Sequence, residues 1–375
     1  MTKEKRVFLS FTVLLIVLPT AAALAQSSIT NELQAALDEW RVSSEIAGAV
    51  LAIDVPGQGT MTCVSGVSDR EAGTPLTPQD RFRIGSITKT FVAAMVLQLA
   101  QEGRLTLDDP LSAYVPDFPN AQHITIRHLL SHRSGIFDFE FIPGLVGQAL
   151  QDPAKVWTWQ EVVAAAADQE PYFAPGTGYH YSSTNFTLLG VVAEAVTGTR
   201  LSDELRRRFF DPFGLTNTFL GGAPHRPEGI IHGYGTLPDG TQFDIAEFPN
   251  TAFDTASWAT GSMVSNAPDL VRWAQALYGG KGDVVDGDIL DAMLTFEPSF
   301  GPAPSVLHGL GVFRYETPFG AALGHTGTWF GFSSRMMYFP ELEVTVVVLV
   351  NQHFMDTSPI MEAAMKIITE ASGIN

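Results

Sequence analysis

Cysteine is almost absent from this chain of 375 residues: Cys63 stands alone, so no internal disulfide can brace the fold. It lies in a strand-like run, where a packed thiol is expected. Positive charge is also short. Against 40 Asp and Glu there are 22 Lys and Arg, giving a formal net charge of −18 and a pI near 4.8. Such a chain is a poor partner for nucleic acid or anionic lipid. Its one basic trio, Arg206-Arg207-Arg208, is expected to be a solvated helix face. Beyond the N-terminus no apolar run is long enough to span a membrane. No Gly-x-Ser-x-Gly occurs, which argues against the nucleophile elbow of an α/β-hydrolase. His128 and His132 have the i, i+4 spacing that can chelate zinc. No Glu follows His128 and no third ligand is evident, so neither metal nor cofactor is expected. There is no internal repeat.

What is present is ordinary globular composition, 45% hydrophobic and 17% charged, in a length suited to one large or two intimate domains. The N-terminus carries Lys3, Lys5 and Arg6, then an apolar run from Val7 to Leu18, then Ala23-Leu24-Ala25 before Gln26. That pattern reads as a secretory signal peptide over 1–25, without a lipoprotein cysteine at the cleavage site. A periplasmic or secreted protein with no stable membrane anchor is the expectation.

Helical spacing covers Ile29 to Val42, and two β-like runs, Ala47 to Asp54 and Thr60 to Val67, flank the turn Pro56-Gly57-Gln58-Gly59. Further helices are expected at Ile124 to Ser131, Trp159 to Asp168, Asn185 to Val196, Leu201 to Phe210 and Ala267 to Tyr278, the last capped by Asn266. Gly221 to Asn250 looks irregular. Short strands then follow at Gly309 to Tyr315, Phe319 to Gly324, Ser333 to Phe339 and Val344 to Val350, before a closing helix from Ser358 to Ala371. The reading is α+β: an antiparallel sheet built from both chain ends, flanked by helices, with an all-helical insert. In residues, 26–85 and 221–375 form the sheet part and 86–220 the helical part.

Between the first strands and the insert, Ser86 to Glu102 reads as one helix, apolar nearly all round beyond Lys89 and stopped by Gly103. Ser86 and Lys89 are three apart and share a face. Lysine is scarce here, and no other lysine has a serine three residues before it. A lysine facing the core sheds its proton more easily, and a neutral amine is what a serine nucleophile needs beside it.

Two more stretches complete a set: Tyr181-Ser182-Ser183 on a loop of the insert, and His325-Thr326-Gly327-Thr328 after a strand. In this order they resemble the motifs of the serine penicillin-recognising enzymes, namely class C β-lactamases, DD-carboxypeptidases and related esterases, which show Ser-x-x-Lys, Tyr-x-Asn and Lys/His-Thr-Gly. The flanks Arg83 to Lys89, His128 to Gly135, Tyr181 to Gly190 and Gly324 to Ser333 are similar too. The likeness spans nearly the whole mature chain and is nearest the secreted D-alanyl-D-alanine carboxypeptidase branch. It implies that Ser86 is acylated and that Lys89 and Tyr181 shuttle its proton. It also implies that the N–H groups of Ser86 and Thr328 receive the oxyanion, and that Thr326 hydrogen-bonds a substrate carboxylate.

Two positions depart from that pattern. Ser183 stands where an Asn is usual and offers one short hydroxyl. Asn185 lies nearby at an offset unsuited to replace it. His325 stands where a Lys is common, and a histidine would make activity depend on pH between roughly 5.5 and 7.5. A third question concerns Phe313-Arg314, near the place where carboxypeptidases of this branch carry a carboxylate-gripping arginine. Strand alternation lets only one of the two face the site. The expected substrate is a small peptide, a β-lactam or an ester. A DD-carboxypeptidase-type peptidase is the first reading. The alternatives are a β-lactamase, an esterase or D-amino-acid amidase, and a non-catalytic penicillin-binding or sensor protein. Oligomeric state is not legible.

Overall fold

The structure, a computed structural model, describes residues 21–372 except 143, 223–228, 238, 281–282 and 300–304. The basic and apolar parts of the expected leader therefore lie outside the described residues. No described helix is long and apolar enough to cross a membrane.

Nine strands form one antiparallel sheet. Three come from the first part of the chain, β1 Gly48–Val55, β2 Gly59–Asp69 and β3 Thr74–Pro75. Six come from the last: β4 Glu297–Pro298, β5 Val306–His308, β6 Phe313–Thr317, β7 Gly320–Trp329, β8 Phe332–Phe339 and β9 Val344–Val350. Their spatial order is β3-β2-β1-β9-β8-β7-β6-β5-β4. The seam is the β1–β9 pair, with Ala49 opposite Val350 and Asp54 opposite Thr345.

Both faces are covered, so the central strands are apolar on both sides. Alternation sorts their residues into two cores. Leu51, Ile53, Met337, Phe339, Val346 and Val348 meet the terminal helices α1 Ala21–Ser43 and, from the far end, Ser358–Ser372, through residues such as Leu33, Leu37, Ile360 and Met365. Val50, Ala52, Met336, Val347 and Leu349 face the larger core on the other side. Cys63 is buried with the first group, as its strand pattern implied.

The larger core is centred on α2 Thr88–Gln101. A single 3₁₀ turn, Gly85–Ile87, precedes it, so the helix expected from Ser86 opens more tightly than a regular one. Trp273 stacks on Phe91 with ring centroids 4.0 Å apart, and its indole N–H donates to Thr90 Oγ1 at 2.9 Å. Short helix α3 Ile126–Leu130 is closed by a capping box between Thr125 and His128. Two more helices, α4 Ser183–Thr197 and α5 Thr251–Gly261, pack against α2. Helix α6 Ala267–Tyr278 lies on β1, β8 and β9, with Asn266 Oδ1 accepting the Asp269 N–H at 2.9 Å.

Three differences from the sequence reading matter. Strand β7 runs on to Trp329 instead of stopping at Gly324, so the His-Thr-Gly segment lies within a strand. Helix α5, which contributes to the site, had no helical signature. The arginine trio is only partly solvated: Arg206 and Arg207 are exposed, but Arg208 is buried against Glu204 at 2.8 Å and Glu102 at 2.5 Å. A π turn over Arg206–Phe210 rotates it inward.

Candidate active site

The nucleophile turn is held against β7 by glycine. Gly85 has φ +51°, and a Cβ there would lie 2.6 Å from the backbone nitrogen of Thr328. Gly327 likewise faces Ile84, whose carbonyl oxygen a Cβ would strike. Ser334 Oγ donates to that same carbonyl at 2.8 Å. These contacts bring the backbones beside Ser86 and at Thr328 into register. That juxtaposition could offer two N–H groups to one oxyanion.

Lys89 is fully buried, and its three ammonium hydrogens have three acceptors. Nζ donates to Ser86 Oγ at 3.0 Å, to Thr260 O at 2.8 Å and to Ser183 Oγ at 3.3 Å. It also stands 4.9 Å from the centroid of the Tyr181 ring. Thr260 O is available because it lies in the last turn of α5, which also breaks at Trp258 (φ 21°, ψ −110°). A left-handed tryptophan is strained, and here the tryptophan ring fills the space above Gly190, where a Cβ would approach it to 2.9 Å. Burial lowers the Lys89 amine to about 8, against the opposing pull of Glu140 and Asp138.

Tyr181 hydrogen-bonds Ser86, and burial raises its phenol well above the usual value, so it is a neutral hydroxyl near pH 7. His132 packs on it, ring centroids 4.3 Å apart. The Nδ1 atom of His132 accepts the Ser182 N–H at 3.1 Å, which places the ring proton on Nε2. Asn185 turns away from Lys89: its Nδ2 faces His132 Nδ1 at 3.3 Å and its Oδ1 accepts from Ser134 at 2.6 Å. The two histidines at i, i+4 thus have separate structural tasks, a cap and a ring support. No group of three metal-ligating side chains occurs among the described residues.

His325 is buried 6.2 Å from the Tyr181 ring and 4.8 Å from that of Phe313, centroid to centroid. Burial, reinforced by the charge of Lys89, pushes its imidazole down to about 3. The pH dependence expected from it between 5.5 and 7.5 is therefore corrected: His325 stays neutral across that range. Thr326 is also placed differently from expectation. Its hydroxyl bonds Tyr315 and its strand partner is Arg335, so it is engaged away from His325. Between Phe313 and Arg314, the phenyl ring meets His325 and Tyr181, whereas the guanidinium pairs with Glu316 at 2.9 Å.

Two acidic residues at the site carried no sequence signal. Ser183 Oγ donates to Glu140 Oε1 at 2.7 Å. Asp138, buried, accepts the N–H of Glu140 at 3.1 Å and that of Ser183. Below the site, buried Arg83 is ion-paired with Asp254, and its guanidinium lies 3.9 Å from the Trp329 ring centroid.

A hydroxyl, a buried amine and a phenol in mutual contact, beside the close approach of the Gly85 and Thr328 backbones, define a site able to transfer an acyl group through serine. The family model described as Beta-lactamase matches residues 30–367, and the chain belongs to that family of serine hydrolases. The fold is similar to D-amino acid amidase from Ochrobactrum anthropi SV3, with a TM-score of 0.81 and 30% identity over 92% of this chain and 99% of that one. Esterase EstB of Burkholderia gladioli is 28% identical over 70% of this chain and 74% of its own length. Penicillin-binding protein 4* of Bacillus subtilis is 28% identical over 76% of this chain, which spans 64% of that protein.

Proposed function

We propose that this protein hydrolyses small amides and esters of D-amino acids by acylating Ser86. The observation that carries the reading is Phe313. It occupies the wall beside Tyr181 and His325, while Arg314 is paired with Glu316. A DD-carboxypeptidase must hold a free terminal carboxylate, and a phenyl ring gives it no charge-assisted partner. Among the described residues the cation at the site is Lys89, whose three donors are already used. A substrate without that carboxylate loses nothing here. The preference for D-amino-acid derivatives rests on similarity to the amidase.

In this reading neutral Lys89 takes the proton of Ser86 as Oγ attacks the carbonyl carbon. The new oxyanion lies between the N–H groups of Ser86 and Thr328. Tyr181, a phenol, hands its proton to the departing amine or alkoxide and is reprotonated from Lys89. Water then reverses the sequence. His325 supplies shape and a neutral ring. We further propose that residues 1–25 are removed on export, which N-terminal sequencing of the secreted protein would establish.

The test is a panel given to the protein and to Ser86→Ala: D-phenylalanine amide, its methyl ester, a D-alanyl-D-alanine peptide and a penicillin. The amide and ester should be turned over by the parent alone, with kcat/KM above that for the free-carboxylate peptide by about 30-fold, the worth of one charge-assisted hydrogen bond. A peptide cleaved as well as the amide would overturn the reading in favour of a carboxypeptidase. Rapid penicillin loss without a lasting adduct would favour a β-lactamase.

A further inference from the structure

Behind Lys89 the structure carries a second polar branch that acyl transfer through Ser86, Lys89 and Tyr181 does not use. Ser183 Oγ sits between the amine and a carboxylate, accepting from Lys89 Nζ at 3.3 Å and donating to Glu140 Oε1 at 2.7 Å. Glu140 belongs to the one-turn 3₁₀ helix Phe139–Phe141, and that turn is fastened to the start of α4. The Phe139 N–H donates to Thr184 Oγ1 at 3.0 Å, and the Thr184 hydroxyl donates to Phe137 O at 2.7 Å. Asp138 adds the two backbone N–H bonds from Glu140 and Ser183. The carboxylate is therefore built into the same rigid corner that presents Ser183 to the amine.

We propose that Glu140 is a positioning residue for acyl transfer, which through Ser183 fixes the Lys89 amine beside Ser86. A hydroxyl and a carboxylate together take the place of the single amide expected at position 183. This rests on the hydrolase reading above. The other titratable groups around Lys89 are Asp138 on the same turn, Tyr181 before α4, His132 after α3 and His325 on β7. The two histidines are held neutral by burial and the tyrosine is a phenol. Asp138 is pushed up to about 7 by burial and by its neighbour Glu140, so it carries only part of a charge near neutrality. Glu140 is left as the exposed, hydrated end of the branch. Its charge favours the ammonium form of Lys89, so removing that charge should let the amine deprotonate at lower pH.

The decisive measurement follows Lys89 directly, by NMR titration of protein carrying ¹³C at the lysine ε-carbon in a Ser86→Ala background. Glu140→Gln keeps an acceptor for Ser183 and removes the charge. The Lys89 midpoint should fall by about half a pH unit or more, and Glu140→Asp should restore part of it. Ser183→Ala keeps the charge, so it should move the midpoint less while lowering kcat for the ester in the Ser86 enzyme. In that enzyme the acid limb of kcat/KM should move in Glu140→Gln by the same amount as the midpoint. A midpoint unchanged within error in folded Glu140→Gln would overturn the inference. The titration needs no turnover, so an inactive parent would refute the hydrolase reading separately from the contact between Glu140 and Lys89.

Discussion

The sharpest test of the site is its response to pH, because two neighbouring bases move in ways that can be told apart. Burial lowers Lys89 to about 8 and His325 to about 3. If the neutral amine of Lys89 receives the Ser86 proton, kcat/KM follows the neutral fraction. For a group titrating near 8 that fraction is about 1% at pH 6, about 10% at pH 7 and about half at pH 8. The rate should climb about ninefold from pH 6 to 7, about fivefold from 7 to 8, and less than about twofold from 8 to 9. The sign is that of a base: activity is gained as pH rises through the folded value and is lost below it. The assay is kcat/KM for an uncharged p-nitrophenyl ester from pH 5 to 10, with circular dichroism at each pH to confirm the fold. His325→Asn should leave the midpoint within a few tenths of a unit, apart from the small rise expected when a ring that helps dry out Lys89 is replaced by a polar amide. A rise centred between 5.5 and 7.5 that disappears in His325→Asn would refute this assignment and return the titration to the histidine.

Other outcomes follow from the packing. Gly327→Ala drives a Cβ into the Ile84 carbonyl; a loss of about 1–3 kcal/mol in stability is expected, and acylation should slow at least about tenfold as the turn shifts off β7. Unchanged acylation would mean the contact does not set the geometry. Cys63 is buried and its thiol is raised to about 11, so a disulfide reagent should label it only as fast as the protein opens; immediate labelling of folded protein would contradict its place in the core. Asp254→Ala removes the carboxylate paired with the buried Arg83 cation and should cost about 3–5 kcal/mol in urea unfolding. A change below about 1 kcal/mol would show that the arginine finds compensation elsewhere.

The parts of this fold legible in the sequence are those where one local pattern decides the outcome. The i, i+3 pair of Ser86 and Lys89 on an apolar helix predicted a buried amine beside a hydroxyl, and the two are 3.0 Å apart. Apolar runs such as Val344 to Val350 gave the central strands almost to the residue. The sequence signal for strand β7 ends early because Gly324 and Gly327 weaken it. They are glycines because Met336 O and Ile84 O come too close for a Cβ, and neither neighbour is visible in the local sequence. Helix α5 begins at Asn250-Thr251 and breaks at Trp258, so it had no helical period to read. Glu140 reaches the site across 43 residues through a turn whose anchor is Thr184. His325 was legible as a site residue, but the walls of Phe313 and Tyr181 that keep it uncharged were not.

The seam of the sheet also fixes the order in which the chain can fold. Ala49 pairs with Ser65 on one side, but its partner on the other side, Val350, comes only with the last described strand. Until β9 has left the ribosome, or has reached the far side of a membrane if the chain is exported, β1 keeps one edge unpaired, and Leu51 and Ile53 have only α1 to pack against. Contacts spanning so much chain form late and slowly, because a large loop must close before any of them is rewarded. A protein built this way cannot complete its central sheet until its last described strand is in place. Its folding should respond more to changes in Val344–Val350 than to changes around Ser86, although all the chemistry resides there.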